Sequence, residues 1–591
     1  MEEADVSSGK EAGSALGDSL PLVSALAASF ALVCAVLYQG QREAARGDRV
    51  LGALDFLVFR FRAGAALVLA WSYAHRSLLA LFATLLLAAT AAAACGRGGR
   101  RGLPAALLST AAVAAVWAEI LLLKDARFGG WALFAAAVLT AAVAARMRPL
   151  ALTPGVPAWP GESPPGPSAT CGSPPNWTES LGLFTLIVLA LFARAWAVNQ
   201  LPSTFDEEMI SVQTQSRTAN GLKQFVATEF VGTSNGLATP ATNRLVFGAL
   251  GVSLYATRVT ALVWGLAAVP LFWGLVRRLC GGALATFGAT LLFVCAPEQL
   301  FWSRSEVSVF APVAALGLLF AHVGLSMVGR FGMAPVLLAA AVTPLCRFFY
   351  TAGHVLFVYP VLLAGHAALF ARGVARRALG ALPLLVAGIL VWIASVSIAV
   401  AVAGGPRRFV DPAQVRGEPA WRAGFPSTAS TVEVLRGQVA RVAGNLASVG
   451  ASLTSRQEYA THWYERFTVV PRRNPMVCVG LTILGAVGLG YLLGQIAERR
   501  AALVLFWLGL GLLPGVLSDE PDARRLSLIF VPLLLLASLV VTAWVRLARD
   551  AGGVLAGRLA RAGAGLAFAG VSASGLASNL LLPVAPIVRD E

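Results

Sequence analysis

Three consecutive carboxylates, Asp206, Glu207 and Glu208, stand in the stretch RAWAVNQLPSTFDEEMISVQTQSR, residues 194–217. They follow an apolar segment of membrane-spanning length at 181–198. A carboxylate fixed beside a hydroxyl at the rim of a bilayer can take its proton, and a neighbouring acid can assist or hold a cation. Asp206 is therefore the candidate general base and Glu207 its partner. The same residues have a structural use, because Thr204-Phe-Asp-Glu207 fits the S/T-x-x-E capping box of a helix start. Capping accounts for Glu207 and leaves Asp206 over. The two uses are compatible, since a capped helix start holds a carboxylate rigidly.

Further polar groups fall in loops that the topology below assigns to the same side. They are Arg304 and Glu306 beside Trp302; Arg347, Tyr350 and His354 in CRFFYTAGH; Arg407 and Arg408; and Arg524 and Arg525 in SDEPDARR. Ionisable groups near membrane depth are costly and face a bundle interior or a cavity, so their convergence points to a site. Arginines there can hold a phosphate by charge-assisted hydrogen bonds, although each alone can also snorkel to headgroups. His354 reads as a packed polar residue. The seven cysteines lie mainly in apolar segments and none forms a C-x-x-C pair, so no metal ligand set is assigned. There is no P-loop and no G-x-G-x-x-G leading from a strand into a helix, so no nucleotide is expected.

The elements that must position these groups are membrane spans. Of 591 residues, 57% are hydrophobic and 13% charged, and long apolar runs recur, which defines an all-α polytopic integral membrane protein. The net charge of +16 sits mostly in short loops between spans, so a nucleic-acid partner is not expected. Spans are expected at 21–38, 54–73, 78–94, 105–123, 132–145, 181–198, 257–276, 283–296, 307–328, 334–345, 355–370, 379–402, 476–493, 501–517, 526–545 and within 555–582. Basic loops alternate along this series, which puts them in the cytoplasm and the acidic N-terminus outside. No cleavable signal is expected, because residues 1–19 lack a basic n-region. A proline-rich linker at 151–178 separates a five-span N-terminal unit, 1–150, from a larger unit, 179–591. The longest polar stretch, 404–474, falls outside. Within it Leu435, Val439, Val442, Leu446, Val449 and Leu453 mark one face of an amphipathic helix, expected flat on the membrane or packed over the spans as a lid.

The order of motifs resembles the C-type membrane glycosyltransferases (GT-C), among them the protein O-mannosyltransferases and the bacterial transferases that move aminoarabinose onto lipid A. The motifs are LPSTFDE at 201–207, LGVSLYATR at 250–258, RRLCGG at 277–282, APEQLFWSRSE at 296–306, FFYTAG at 348–353 and ARRLSLIFVP at 523–532. The resemblance covers 181–545. It implies a GT-C-like helical bundle with extracytoplasmic loop helices, to which the N-terminal helices are extra. It also implies transfer of a sugar from a polyprenyl-phosphate donor to a lipid, glycan or protein acceptor at the extracytoplasmic face of a bacterial inner membrane. Asp206 would then accept the acceptor's proton. Glu207 would assist, position the acceptor or bind a divalent cation, the only cofactor left open. Arg304, Arg347, Arg407, Arg408, Arg524 or Arg525 would hold the leaving phosphate, with Glu306 and Tyr350 in the substrate site. The chain departs from the pattern at SRSEVSVF, which lacks the second arginine that relatives often carry near Ser308. The alternative is a transporter or lipid-sugar flippase, which would need mid-span charges and matching halves.

Overall fold

The computed structural model describes residues 76–123, 126–147, 177–195, 238–280, 283–296, 300, 310–371, 373–402, 430–453, 479–517 and 523–581. The expected spans at 21–38 and 54–73 lie outside the described residues. All regular structure within them is helical.

The apolar runs fold in chain order. First come α1 (Arg76–Gly98), α2 (Leu103–Leu123) and α3 (Arg127–Met147), then α4 (Trp177–Ala195). A short α5 (Ala238–Leu250) precedes α6 (Leu254–Cys280), α7 (Ala283–Cys295) and α8 (Phe310–Arg330). Next, α9 (Met333–Val342) runs into a 3-10 turn, Thr343–Phe348, and α10 (Thr351–His354) runs through a second turn, Val355–Val358, into α11 (Tyr359–Phe370). α12 (Ala375–Val402), α13 (Thr431–Ser452), α14 (Val479–Gly494) and α15 (Arg499–Leu517) follow. A 3-10 turn, Ala523–Ile529, opens α16 (Phe530–Leu581), which breaks at Gly553, where φ is 67°. Only glycine takes that conformation without strain, and it turns one long apolar run into two spans.

Eleven of these helical stretches are long and apolar enough to cross a membrane, and three shorter apolar ones accompany them. Each span expected between residues 78 and 582 meets one of them, so the chain is a multi-pass membrane protein. The spans Ala311–Gly329 in α8 and Arg525–Ala551 at the start of α16 are each 83% buried and form the centre. Those of α1 and α12, at 17% and 22%, form the rim.

Contacts between distant residues pair the helix ends as the alternation requires. Glu179 at the start of α4 meets Arg277 at the end of α6 (3.0 Å). Arg278 donates to His322 Nδ1 (3.4 Å) and Ser326 Oγ (3.1 Å) near the end of α8, leaving His322 Nε2–H to donate to the Leu271 carbonyl (2.7 Å). Arg499 donates to the Val328 carbonyl, and Arg546 to that of Cys280. His366 Nε2–H donates to the Ile496 carbonyl (2.6 Å). These groups mark the basic end of the bundle.

The N-terminal helices pack directly on the rest: α1 on α16, and α3 on α14. The α3–α14 seam is built from Gly490-Tyr-Leu-Leu-Gly494, a G-x-x-x-G face that lets two backbones approach where side chains would hold them apart. A methyl group on Gly490 would collide with the Val138 carbonyl oxygen, and one on Gly494 with that of Ala142. Across the lipid-facing rim such packing is the main attraction available, because lipid tails are as apolar as the helices. Replacement of Gly490 or Gly494 by leucine is expected to lower the thermal unfolding midpoint in detergent. The cost is about 1–3 kcal/mol or more, whereas leucine at Gly509, which has open space around it, leaves the midpoint unchanged.

Candidate functional site

The end of the bundle opposite the basic end is where α4 finishes and α6 begins. There Leu191 of α4 packs with Val259 and Leu262 of α6, flanked by Val246 and Leu250 of α5. Polar side chains are buried around this small cluster. Arg194 is 1% exposed, lies beside Cys295, and makes one long hydrogen bond, Nη1 to the Ala190 carbonyl at 3.4 Å. Among the described residues its Nε and Nη2 have no partner. Asn243 is fully buried and, among the described residues, both its amide atoms are unpartnered, as are the hydroxyls of Thr239 and Thr260. Arg258 is buried in the first turns of α6.

An unsatisfied buried polar group costs about 1–3 kcal/mol, and a charged one more. At the basic end, Arg277, Arg278, Arg499 and Arg546 each have a partner in the chain. Arg194 keeps two N–H donors in the fork geometry that suits a phosphate or carboxylate. A group held at that cost is equipped to bind an anion.

The second part of this end is irregular backbone. Trp264 of α6 meets Phe349 edge to face, centroids 5.6 Å apart. Arg347 is half-buried in the last turn of Thr343–Phe348, and Tyr350 is buried one step beyond. Tyr350 leads α10, and its carbonyl accepts from the Gly353 N–H (2.7 Å). His354 Nε2–H donates to the Phe349 carbonyl (3.2 Å), while its ring meets Trp392, which in turn stacks on Phe357. α10 packs against both Thr343–Phe348 and Ala523–Ile529, the turn that carries Arg524 and Arg525. The structure thus brings Arg347, Tyr350, Arg524 and Arg525 into neighbouring segments. Asp206, Glu207, Arg304, Glu306, Arg407 and Arg408 lie outside the described residues. Arg194 and Asn243 carry no motif of their own; the only signal for Arg194 is a charge at the end of an apolar run.

The amphipathic helix of the long polar stretch is α13, and it is docked. Its buried side is Val434, Asn445 and Val449, with Val442 and Leu453 packed beside the core. Leu435, Val439 and Leu446, expected on one apolar face with these, are exposed instead. The reason is Asn445. Its amide donates to the Val516 carbonyl (2.9 Å) in the last turn of α15, where carbonyls lack an intrahelical partner. Satisfying that oxygen turns the polar position inward and rotates half of the stripe outward. The helix end is fastened by the Thr482 hydroxyl, which donates to the Leu453 carbonyl (2.6 Å). Its start is a capping box: Glu433 Oε2 accepts from the Ser430 N–H and hydroxyl (both 2.8 Å), and the Glu433 N–H donates to Ser430 Oγ (3.3 Å). The Ser430 N–H first, and then its hydroxyl, holds the Glu433 carboxyl below its ordinary pKa.

A polytopic helical bundle is the class of protein defined by this fold, and its described residues hold a buried arginine with unpartnered N–H groups at the end where α4 finishes. The sequence matches no family description and no curated protein. Among solved structures it aligns with ArnT from Cupriavidus metallidurans in the apo state, at 11% identity over 68% of this chain and 77% of that one, TM-score 0.36. With ArnT bound to undecaprenyl phosphate the figures are 13%, 67%, 77% and 0.32. With the archaeal oligosaccharyltransferase AglB from Archaeoglobus fulgidus, in complex with an inhibitory peptide and a dolichol-phosphate, they are 14%, 66%, 56% and 0.37. A likeness of this extent concerns the run of the helices and transfers no residue role.

The capping box sets a pH dependence. A carboxyl with a lowered folded-state pKa contributes stability above its unfolded value, about 4.3, and loses it as pH falls through the folded value. Ser430→Ala is therefore expected to speed amide exchange over residues 431–441 strongly at neutral pH. The mutant-to-wild-type ratio should fall as pH drops through the lowered Glu433 pKa, because the part of the cap that depends on the ionised carboxylate is then lost in both proteins.

Proposed function

We propose that this protein is a membrane glycosyltransferase that moves a sugar from a polyprenyl-phosphate donor to an acceptor at the extracytoplasmic face of a bacterial inner membrane. The observation that carries the reading is Arg194, a buried guanidinium with two N–H groups unpartnered among the described residues. It stands at the head of the sequence stretch that leads to Asp206 and Glu207. It also lies at the bundle end that holds Arg347, Tyr350 and the Arg524–Arg525 turn. A departing lipid phosphate needs cationic donors that do not have to reorganise when charge develops. Donors already desolvated and unpaired meet that requirement.

In this reading Asp206 takes the proton of the acceptor hydroxyl, and Glu207 assists or orients the acceptor. Oxygen attacks the anomeric carbon opposite the phosphate, so the C–O bond to phosphate breaks as the new glycosidic bond forms and the linkage inverts. Arginines at the same end, Arg194 and Arg347 with Arg304, Arg407, Arg408, Arg524 or Arg525, take up the phosphate charge. Glu306 and Tyr350 contact the donor or acceptor. The unit 179–591 carries this chemistry, and the helices before the 151–178 linker stand outside it.

The test is transfer of radiolabelled sugar from a panel of polyprenyl-phosphate donors in membranes that contain the wild type or a variant. Asp206→Asn is expected to lose about 10²–10⁴ in rate at normal expression, the usual worth of a general base. Arg194→Gln is expected to weaken donor binding by about tenfold or more, with Arg194→Lys between the two. Equal transfer by wild type and Asp206→Asn, or no transfer from any donor, would sink the proposal and favour a flippase.

A further inference from the structure

Between the N-terminal helices and the rest of the bundle lies a crevice of about 280 Å³. Its walls are α1 and α2 on one side and α14 and both halves of α16 on the other. Leu108, Val540 and Ala564 line its buried interior, while Phe82 and Leu566, at 59% and 57% exposed, stand at its mouth. The crevice therefore opens sideways, between spans, where the surrounding medium is the hydrocarbon of the bilayer. Among the described residues none of its lining side chains is charged, and the only polar one, Trp544, already donates its indole N–H to Ser109 Oγ (2.9 Å).

These facts restrict what can fill it. Water needs two to four polar partners in such a space, and the one indole N–H in the lining is already engaged. An empty cleft forfeits dispersion contacts along its whole wall. A transmembrane helix, about 10 Å across with its side chains, needs more room than this volume gives. No cation lines the crevice among the described residues, so a phosphate headgroup stays outside it, and about 280 Å³ suits part of one acyl chain better than a far longer polyprenyl tail. A flexible hydrocarbon chain without a recognised headgroup meets every condition.

We propose that the crevice is a binding site for one acyl chain of a bilayer phospholipid, which enters past Phe82 and Leu566 and joins α1 and α2 to α14 and α16. The site is independent of the transferase reading. It gives the N-terminal helices a role as one wall of a lipid site.

The experiment uses the full chain in nanodiscs of phosphatidylethanolamine with a diazirine at the end of one acyl chain. Irradiation and peptide mass spectrometry are expected to place label on residues 82–87, 108–116 and 563–571 above that on the lipid-facing Leu390 and Val391 of α12. Ala112→Phe combined with Ala567→Phe, which fills the crevice from two walls, should lower crevice label about tenfold and leave α12 label unchanged. Wild-type label in the crevice no greater than at Leu390 and Val391 overturns the proposal, however the variant behaves. So does label displaced by added polyprenyl phosphate, which would assign the crevice to the donor. Cross-linking of an Ala83→Cys protein to residues 21–73 in place of lipid label would assign it to the chain's own N-terminal segment.

Discussion

Inside hydrocarbon a carbonyl at the end of a helix has no water to turn to, and this fold answers that constraint with side chains from other helices. Val328 near the end of α8 receives Arg499, Cys280 at the end of α6 receives Arg546, and Val516 in the last turn of α15 receives Asn445. His366 does the same for Ile496, in the turn after α14. Each is a contact between elements far apart in sequence, made where an orphaned oxygen would be most costly. The bundle is therefore tied at its ends by these hydrogen bonds, while along their lengths the helices are held mainly by shape, with single ties such as Trp544 to Ser109 and Tyr359 to the Leu503 carbonyl.

The two ends differ in how their buried arginines are used. At the basic end the charges that orient a chain in a membrane also serve as ties, so Arg278, Arg499 and Arg546 are engaged. At the opposite end Arg194, Asn243 and Thr239 are buried without using all their hydrogen-bonding groups. A protein under selection for stability alone would replace them with apolar residues of similar volume.

Much of this was legible in the sequence. Apolar runs of spanning length, broken by arginine-bearing loops, fix where helices lie and which ends lie together. Gly553 escaped that reading, although a glycine between two apolar runs is its visible sign. Hydrophobic spacing put Leu435, Val439, Leu446 and Val449 on one stripe of α13, which the structure splits, with Val449 buried and the other three exposed. It did not show which side the bundle would take, because that was settled by a carbonyl on α15 that no local pattern reveals. The capping box of Ser430 and Glu433 follows a readable S-x-x-E signature. Arg194 was invisible in a different sense. An arginine at the end of an apolar run reads the same whether it snorkels to a headgroup or is enclosed, and only the packing of α5, α6 and α7 around it tells the two apart.

The glycine seam between α3 and α14 has a consequence for assembly. A groove one backbone deep, made by Gly490 and Gly494, is generic: any helix with small residues at matching positions fits it, including the same helix from a second molecule. By lying in that groove, α3 leaves it unavailable to neighbours in the bilayer. A chain shortened to begin after the proline-rich linker would turn it outward, and its state of association would then depend on its own concentration in the membrane.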